Sequence, residues 1–337
     1  AQGLALASVL GEAAGLVVLG LAVDRMWGAW RGVAGAGRPP LRRERHPWWP
    51  RSILTLALPV TAGRVLSSVG SSLATLLLPN RLQQAGLSPS EAAAQVGLLR
   101  GVALPLVLMP NMLSLALMTT LVPSVSAAMG RGDREAARAY SDKAMATTVL
   151  FALPAGAAFL AMPELWTRVL YGEGSAAPLL VICTLAAPFI YLGQTLVGVL
   201  RGLGRPEIPV RGHLLGLVVE AGLIWLWVGQ PRLGIRGAAL ATAAGYAAAY
   251  ALNQYGALRH LGTALRAGDF TLPLAGAAAA AAAARAAAGA VLALLEPAGG
   301  PGALLPGVTA LLAGLAVLTA VYAAALRASP VWRWLAV

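Results

Sequence analysis

Four ionisable side chains stand inside stretches that are otherwise apolar enough for lipid: Glu12, Arg64, Glu220 and Arg285. Arg100 lies at the entrance of another such stretch. A charge at the centre of a membrane helix costs about 2.5–3.5 kcal/mol on insertion scales, so each of these should face protein or water. Arg64 is followed at helical spacing by Ser68, Ser71 and Thr75, which makes one face of its helix polar. Arg100, Asn111 and Ser114 are spaced to fall on one helix face, three turns apart and then one. Two polar faces on consecutive helices suggest a common cavity suited to binding. The alternative is interhelical hydrogen bonding in a packed bundle, and for Arg100 an outward snorkel also fits. His213 and Glu220 share a face of a later helix. They read as a proton relay or coupling-ion site, or as one half of a structural salt bridge. Glu12 and Arg285 read as structural charges, and Gln194 and Asn253 as helix-packing contacts.

Bond-breaking chemistry has no foothold. There is no pair of carboxylates at catalytic spacing, no HExxH and no Walker A loop. Three scattered histidines and one cysteine, Cys183, make neither a metal site nor a disulfide framework. No cofactor or metal is expected, and the chain does not read as an enzyme. The glycine-rich run Arg201-Gly202-Leu203-Gly204-Arg205 is too short, between its flanking apolar runs, to cradle a phosphate.

The elements that would position these residues are membrane helices. The chain of 337 residues is 58% hydrophobic and 11% charged, with mean hydropathy +0.73, whereas a soluble domain carries about 25% charge. The fold class is therefore an all-α polytopic membrane protein, since lipid cannot satisfy open backbone. Apolar segments of spanning length lie near 2–23, 52–79, 94–128, 144–162, 176–200, 213–229, 237–257, 271–294 and 304–326. The third carries Pro105, Pro110 and Pro123, which would break a soluble helix. In a membrane, neighbouring helices or cavity water can satisfy the freed carbonyls, so this segment reads as one kinked helix lining something wet. The alanine-rich segment near 271–294 is the weakest span by composition. Residues 131–143 read as a polar extension of the next helix, and 166–174 as a short interfacial turn.

Charge sets the orientation. Lys and Arg number 25 against 13 Asp and Glu. Alternating sides along nine spans puts eighteen basic residues on the side of the 24–51 linker and four, Arg81, Arg168, Arg232 and Arg236, on the other. That is the positive-inside pattern, so the linker and the C-terminus are expected in the cytoplasm. Its four tryptophans suit the headgroup level. The basic residues sit in short loops between spans, so nucleic acid is not an expected partner.

Four stretches carry a family resemblance. Ala57–Ser88 has a Leu-Pro, a Ser-rich helix, then a Pro, a basic residue and Gln-x-x-Gly. Met109–Asp133, Leu153–Gly172 and Leu200–Gly212 continue it. The sequence resembles the stage V sporulation protein B branch of the multidrug/oligosaccharidyl-lipid/polysaccharide flippase superfamily, which includes the lipid II flippases. The resemblance implies fourteen helices in two lobes, a cytoplasmic linker after the sixth, and rocking about a central cationic cavity. Against that plan the chain matches helices six to fourteen: 1–23 as the last helix of the N-terminal lobe, 24–51 as the linker, 52–257 as a six-helix lobe and 258–337 as two further helices. The remaining N-terminal helices would be a partner supplied by the same protein. Lipid II flippases carry an essential Arg five residues before the Pro that matches Pro110; this chain has Pro105 there.

The expected function is a flippase that moves a lipid-linked oligosaccharide or peptidoglycan precursor across the bacterial cytoplasmic membrane by alternating access. Its substrate-binding set would be Arg64, Ser68, Ser71, Arg100, Asn111 and Ser114, with Glu220 and His213 for coupling. Arginine suits a pyrophosphate because it stays charged and offers a fork of donors. Membrane lipids and cell-wall synthesis enzymes are further expected partners. A cation-coupled drug or metabolite exporter, or a non-transporting scaffold for wall synthesis, are the alternatives.

Overall fold

A computed structural model describes Ser68, Gly70 and residues 76–263, 271–299 and 304–327. The chain divides into Ala1–Leu54 and Thr55–Val337, and all described residues belong to the second unit. Glu12, Arg64, Ser71, Thr75, the first expected span and the basic linker lie outside the described residues. The described residues are helical throughout, with no strand among them.

Helix α1 covers 76–84. Helix α2, Pro89–Leu108, starts from a capping box. The Ser88 hydroxyl accepts from the Glu91 N–H at 3.3 Å and the Ser88 N–H donates to Glu91 at 2.8 Å, with Pro89 in the first turn. Within α2, Leu98–Ala103 forms a π turn centred near Arg100. Helix α3 is Asn111–Gly130. Both α2 and α3 are long and apolar enough to cross a membrane. They are nevertheless one kinked ribbon. The junction residues keep right-handed helical angles, Met109 at φ −57°, ψ −49° and Pro110 at φ −65°, ψ −18°, and the helices pack on each other only there. Pro110 has no N–H to offer, so the Leu106 carbonyl accepts from Met109 at 3.2 Å. The adjacent Val107 carbonyl takes the buried Tyr191 hydroxyl at 2.6 Å.

Helix α4, Arg134–Ala161, merges the polar extension with its span. The segment read as a turn is instead helix α5, Pro163–Tyr171, closed by Gly172 at φ 71°. Trp166 explains the difference: its indole donates to the Ala158 carbonyl at 3.1 Å and stacks edge-on against Phe159, anchoring α5 on α4. The span expected at 176–200 is two helices, α6 (Ala177–Thr184) and α7 (Ala187–Gly202), bent by 53°. The α7 N–H groups start beside Pro188 in its first turn, which fits a helix beginning afresh.

Helices α8 (Glu207–Val228) and α9 (Gly234–Leu261) form a tight hairpin, as do α10 (Thr271–Gly299) and α11 (Leu304–Arg327). Helix α7 packs on α3, α4 and α9, and α4 bridges to α10. The described helices that meet the length and composition of a span number six, or seven if the bent pair counts as one. Helix α9 is long enough but not apolar enough to be among them. The packing accounts for this. Its Gly, Ala, Thr and Asn positions, including Gly245, Thr242 and Asn253, are buried against α6, α7 and α8 rather than turned to lipid. The alanine-rich α10 does meet the span criteria.

Small residues set the helix distances. A methyl group at Gly216 would come within 2.7 Å of the Gly245 carbonyl oxygen, and one at Gly245 within 2.8 Å of the Gly216 carbonyl. Gly198 of α7 meets Met118 of α3 at the backbone in the same way.

Candidate functional site

Two connected chambers run along the α8–α9 hairpin. The first, 390 Å³, is lined by Ser68, Gly70, Arg100, His213, Glu220 and Tyr246 among others. The second, 280 Å³, is lined by Arg100, Pro105, Leu108, Glu220, Thr242 and Tyr246 among others. Arg100, Glu220 and Tyr246 belong to both and form the waist between them.

Each waist residue reaches its place for a local reason. The π turn Leu98–Ala103 carries Arg100, which lines a chamber together with His213 and Glu220 of α8. Glu220 lies two turns past His213 on α8, and the Gly216–Gly245 approach draws α9 close enough for the Thr242 hydroxyl to donate to Glu220 Oε1 at 2.8 Å. Tyr246 follows Thr242 by one turn, so α9 presents two hydroxyls to the same carboxylate region. Glu220 forms no ion pair among the described residues. The waist thus carries a guanidinium, a carboxylate and a phenol. It can hold an anionic group at one end and a cation or proton at the other.

Of the residues singled out in the sequence, Ser68, Arg100, His213 and Glu220 come together in one chamber. Asn111 and Ser114 line neither chamber. They sit on α3, where Asn111 Oδ1 and Ser114 Oγ are buried without hydrogen-bond partners among the described residues. Thr242 and Tyr246 were missed. Their spacing of four in an alanine- and glycine-rich helix was a readable signal.

A clasp lies beside the second chamber. Arg81 of α1 donates to the Trp225 carbonyl at 2.5 Å, donates to Gln84 at 2.6 Å, and sits 3.5 Å over the Trp225 ring. Leu78 and Ile224, which line that chamber, lie next to the clasp on the same two helices. Trp225 belongs to a π turn, Ile224–Val228, that ends α8. Cation–π and charge-assisted contacts of this kind contribute about 1–2 kcal/mol. Arg81→Ala should lower the thermal unfolding midpoint in detergent accordingly. An unchanged midpoint would show that the clasp holds nothing.

The positions now on the page bear comparison with known proteins. Residues 89–226 match the MatE family. The matched stretch takes in α2 through most of α8, and with it Arg100, His213 and Glu220; Thr242 and Tyr246 lie beyond its end. The chain is 29% identical over 196 residues to stage V sporulation protein B of Bacillus subtilis (strain 168), covering 57% of this chain and 37% of that one. It is 28% identical over 172 residues to the uncharacterised membrane protein YabM of the same organism, covering 50% and 32%. The chain thus spans about a third of the length of the curated relatives it matches.

Among solved structures, an outward-facing multidrug resistance MATE family transporter of the MOP superfamily aligns with TM-score 0.51 at 17% identity, covering 80% of this chain and 63% of that one. A MOP superfamily transporter from Pyrococcus furiosus Vc1, described as having a binding pocket of reverse polarity, aligns equally, with TM-score 0.51, 17% identity and the same coverage. At that identity the likeness is one of fold. The chain is a multi-pass membrane protein with the helical architecture of these transporters.

Proposed function

We propose that this chain is the C-terminal part of a flippase that moves a lipid-linked oligosaccharide or peptidoglycan precursor across the cytoplasmic membrane by alternating access. The observation that carries the reading is the waist, where Arg100 stands in both chambers of a membrane chain whose residues 89–226 match the MatE family. A guanidinium that lines a cavity offers a planar fork of donors, which binds a pyrophosphate well. In this reading Arg64 and Arg100 attract the pyrophosphate, while Ser68 and Ser71 hydrogen-bond sugar or phosphate. Glu220 and His213 couple transport to a cation or proton. Residues 1–23 end the N-terminal lobe, 24–51 form a cytoplasmic linker, and 52–257 and 258–337 are the second lobe and two added helices. The basic excess on the linker's side supports a cytoplasmic C-terminus.

A second reading, a cation-coupled drug or metabolite exporter, is favoured by one observation: Glu220 with its Thr242 hydroxyl offers a carboxylate to a cationic substrate or coupling ion. The full-length polypeptide in proteoliposomes separates the two. Protection or exposure of a fluorescent lipid-linked sugar to an external quencher reads flipping, and efflux of a cationic dye reads export. Flipping without efflux is expected. Dye efflux alone would replace the flippase reading, and neither activity would leave a wall-synthesis scaffold.

A further inference from the structure

Arg285 stands mid-way along α10, about 15 Å along the axis from Leu295 and about 21 Å from Thr271. The opposite face of the helix is spoken for: Ala277, Ala280, Ala284 and Ala288 are buried against α4 and α11. Arg285 is on the exposed side and makes no hydrogen bond or ion pair among the described residues. Glu220 of α8, by contrast, has Thr242 as a hydrogen-bond partner. A single side chain bridges neither distance to the interface, so snorkelling does not relieve this cation. Something anionic must reach it at depth.

We propose that the exposed face of α10 around Arg285 docks a transmembrane helix of another polypeptide, and that this helix carries a carboxylate at the depth of Arg285. Three observations select this occupant. The residues flanking Arg285 on that face, Ala278, Ala282, Ala286 and Gly289, are small and exposed, so a second helix can approach to backbone distance. A lipid phosphate would have to leave the headgroup plane and descend along much of the half-span to pair here. A second copy of this chain, docked symmetrically through the same face, would set Arg285 against Arg285. The face lies on a helix that lines neither chamber, so the inference does not rest on the transport reading.

The test uses the chain in phosphatidylcholine vesicles with a synthetic spanning peptide of about 22 Leu and Ala residues, bearing one central Glu. A twin peptide bears Gln. Energy transfer between a donor on the chain and an acceptor on the peptide reads association. The Glu peptide is expected to bind at least about tenfold more tightly than its twin, because removing one partner of a desolvated charge pair strands the other. Arg285→Gln should erase that difference, and Arg285→Glu should restore binding to a peptide with central Lys. Arg285→Gln removes a charge from an apolar span, and monodisperse elution will check that it folds. Equal binding of both peptides, no binding of the Glu peptide, or no change with Arg285→Gln would each overturn the proposal. So would complete displacement of the Glu peptide by phosphatidylglycerol, which would make the occupant a lipid headgroup.

Discussion

Arg100→Gln is expected to slow flipping of a pyrophosphate-bearing lipid by roughly 10- to 100-fold at subsaturating substrate. A hydrogen bond to a charged group contributes about 1.5–3 kcal/mol, and each 1.36 kcal/mol is a factor of about ten. Gln keeps N–H donors but is shorter and loses the charge, so the loss reports the charged fork and its reach together. Glu220→Gln serves as the partner variant. It keeps an acceptor for the Thr242 hydroxyl while removing the negative charge, and is expected to blunt the dependence of flipping on an ion gradient. Because Arg100 and Glu220 share both chambers, the double variant should be non-additive. Initial rates in proteoliposomes, with and without a gradient, measure all three. Wild-type rates in Arg100→Gln would remove Arg100 from the site, and strict additivity would mean that the two charges work separately.

The second large effect is on stability. Gly216→Leu should destabilise the protein by about 3 kcal/mol, at the upper end of what overpacking costs. The atoms in the way are not a yielding side chain but the Gly245 carbonyl, 2.7 Å from where the first carbon would sit. The α8–α9 hairpin must part, and the Thr242–Glu220 hydrogen bond parts with it. Gly222→Ala, on the same helix with no atom within 4 Å of the added carbon, provides the contrast. It should be neutral or stabilising by up to about 1 kcal/mol through helix propensity. Thermal unfolding in detergent distinguishes them; a similar loss at both positions would refute the close-approach account.

The sequence-derived expectations and the structure agree where lipid is the deciding solvent. Helices follow from composition because backbone in hydrocarbon has no other solution, and α4, which starts at Arg134, takes in all but the first three residues of the polar run 131–143. They part where protein replaces lipid as the neighbour. Helix α9 is too polar for a lipid-facing span because it is enclosed, and Trp166 makes a helix of an expected turn by finding a carbonyl on α4. The separation of Arg100 from Asn111 has a sharper cause. A wheel of 3.6 residues per turn puts them on one face, but the π turn at Leu98–Ala103 and the kink at Pro110 both lie on the path between them. Neither irregularity preserves that period. Arg100 and Glu220 could be picked out because charges are conspicuous in apolar runs. Thr242 and Tyr246 are legible in the sequence as a polar pair four apart, but what they face is set by the hairpin that brings Glu220 opposite them.

Cys183 is the chain's single cysteine, and it is buried in the core at 1% exposure. The wild-type chain is therefore already a nearly silent background for thiol labelling. Two cysteines introduced at exposed positions beside the Arg81–Trp225 clasp, such as Gln83 and Leu226, could carry spin labels with no need to remove the native thiol. The separation between those labels would follow the clasp through the cycle of the proposed transporter, turning a static contact between α1 and α8 into a clock for the relative movement of the two helices.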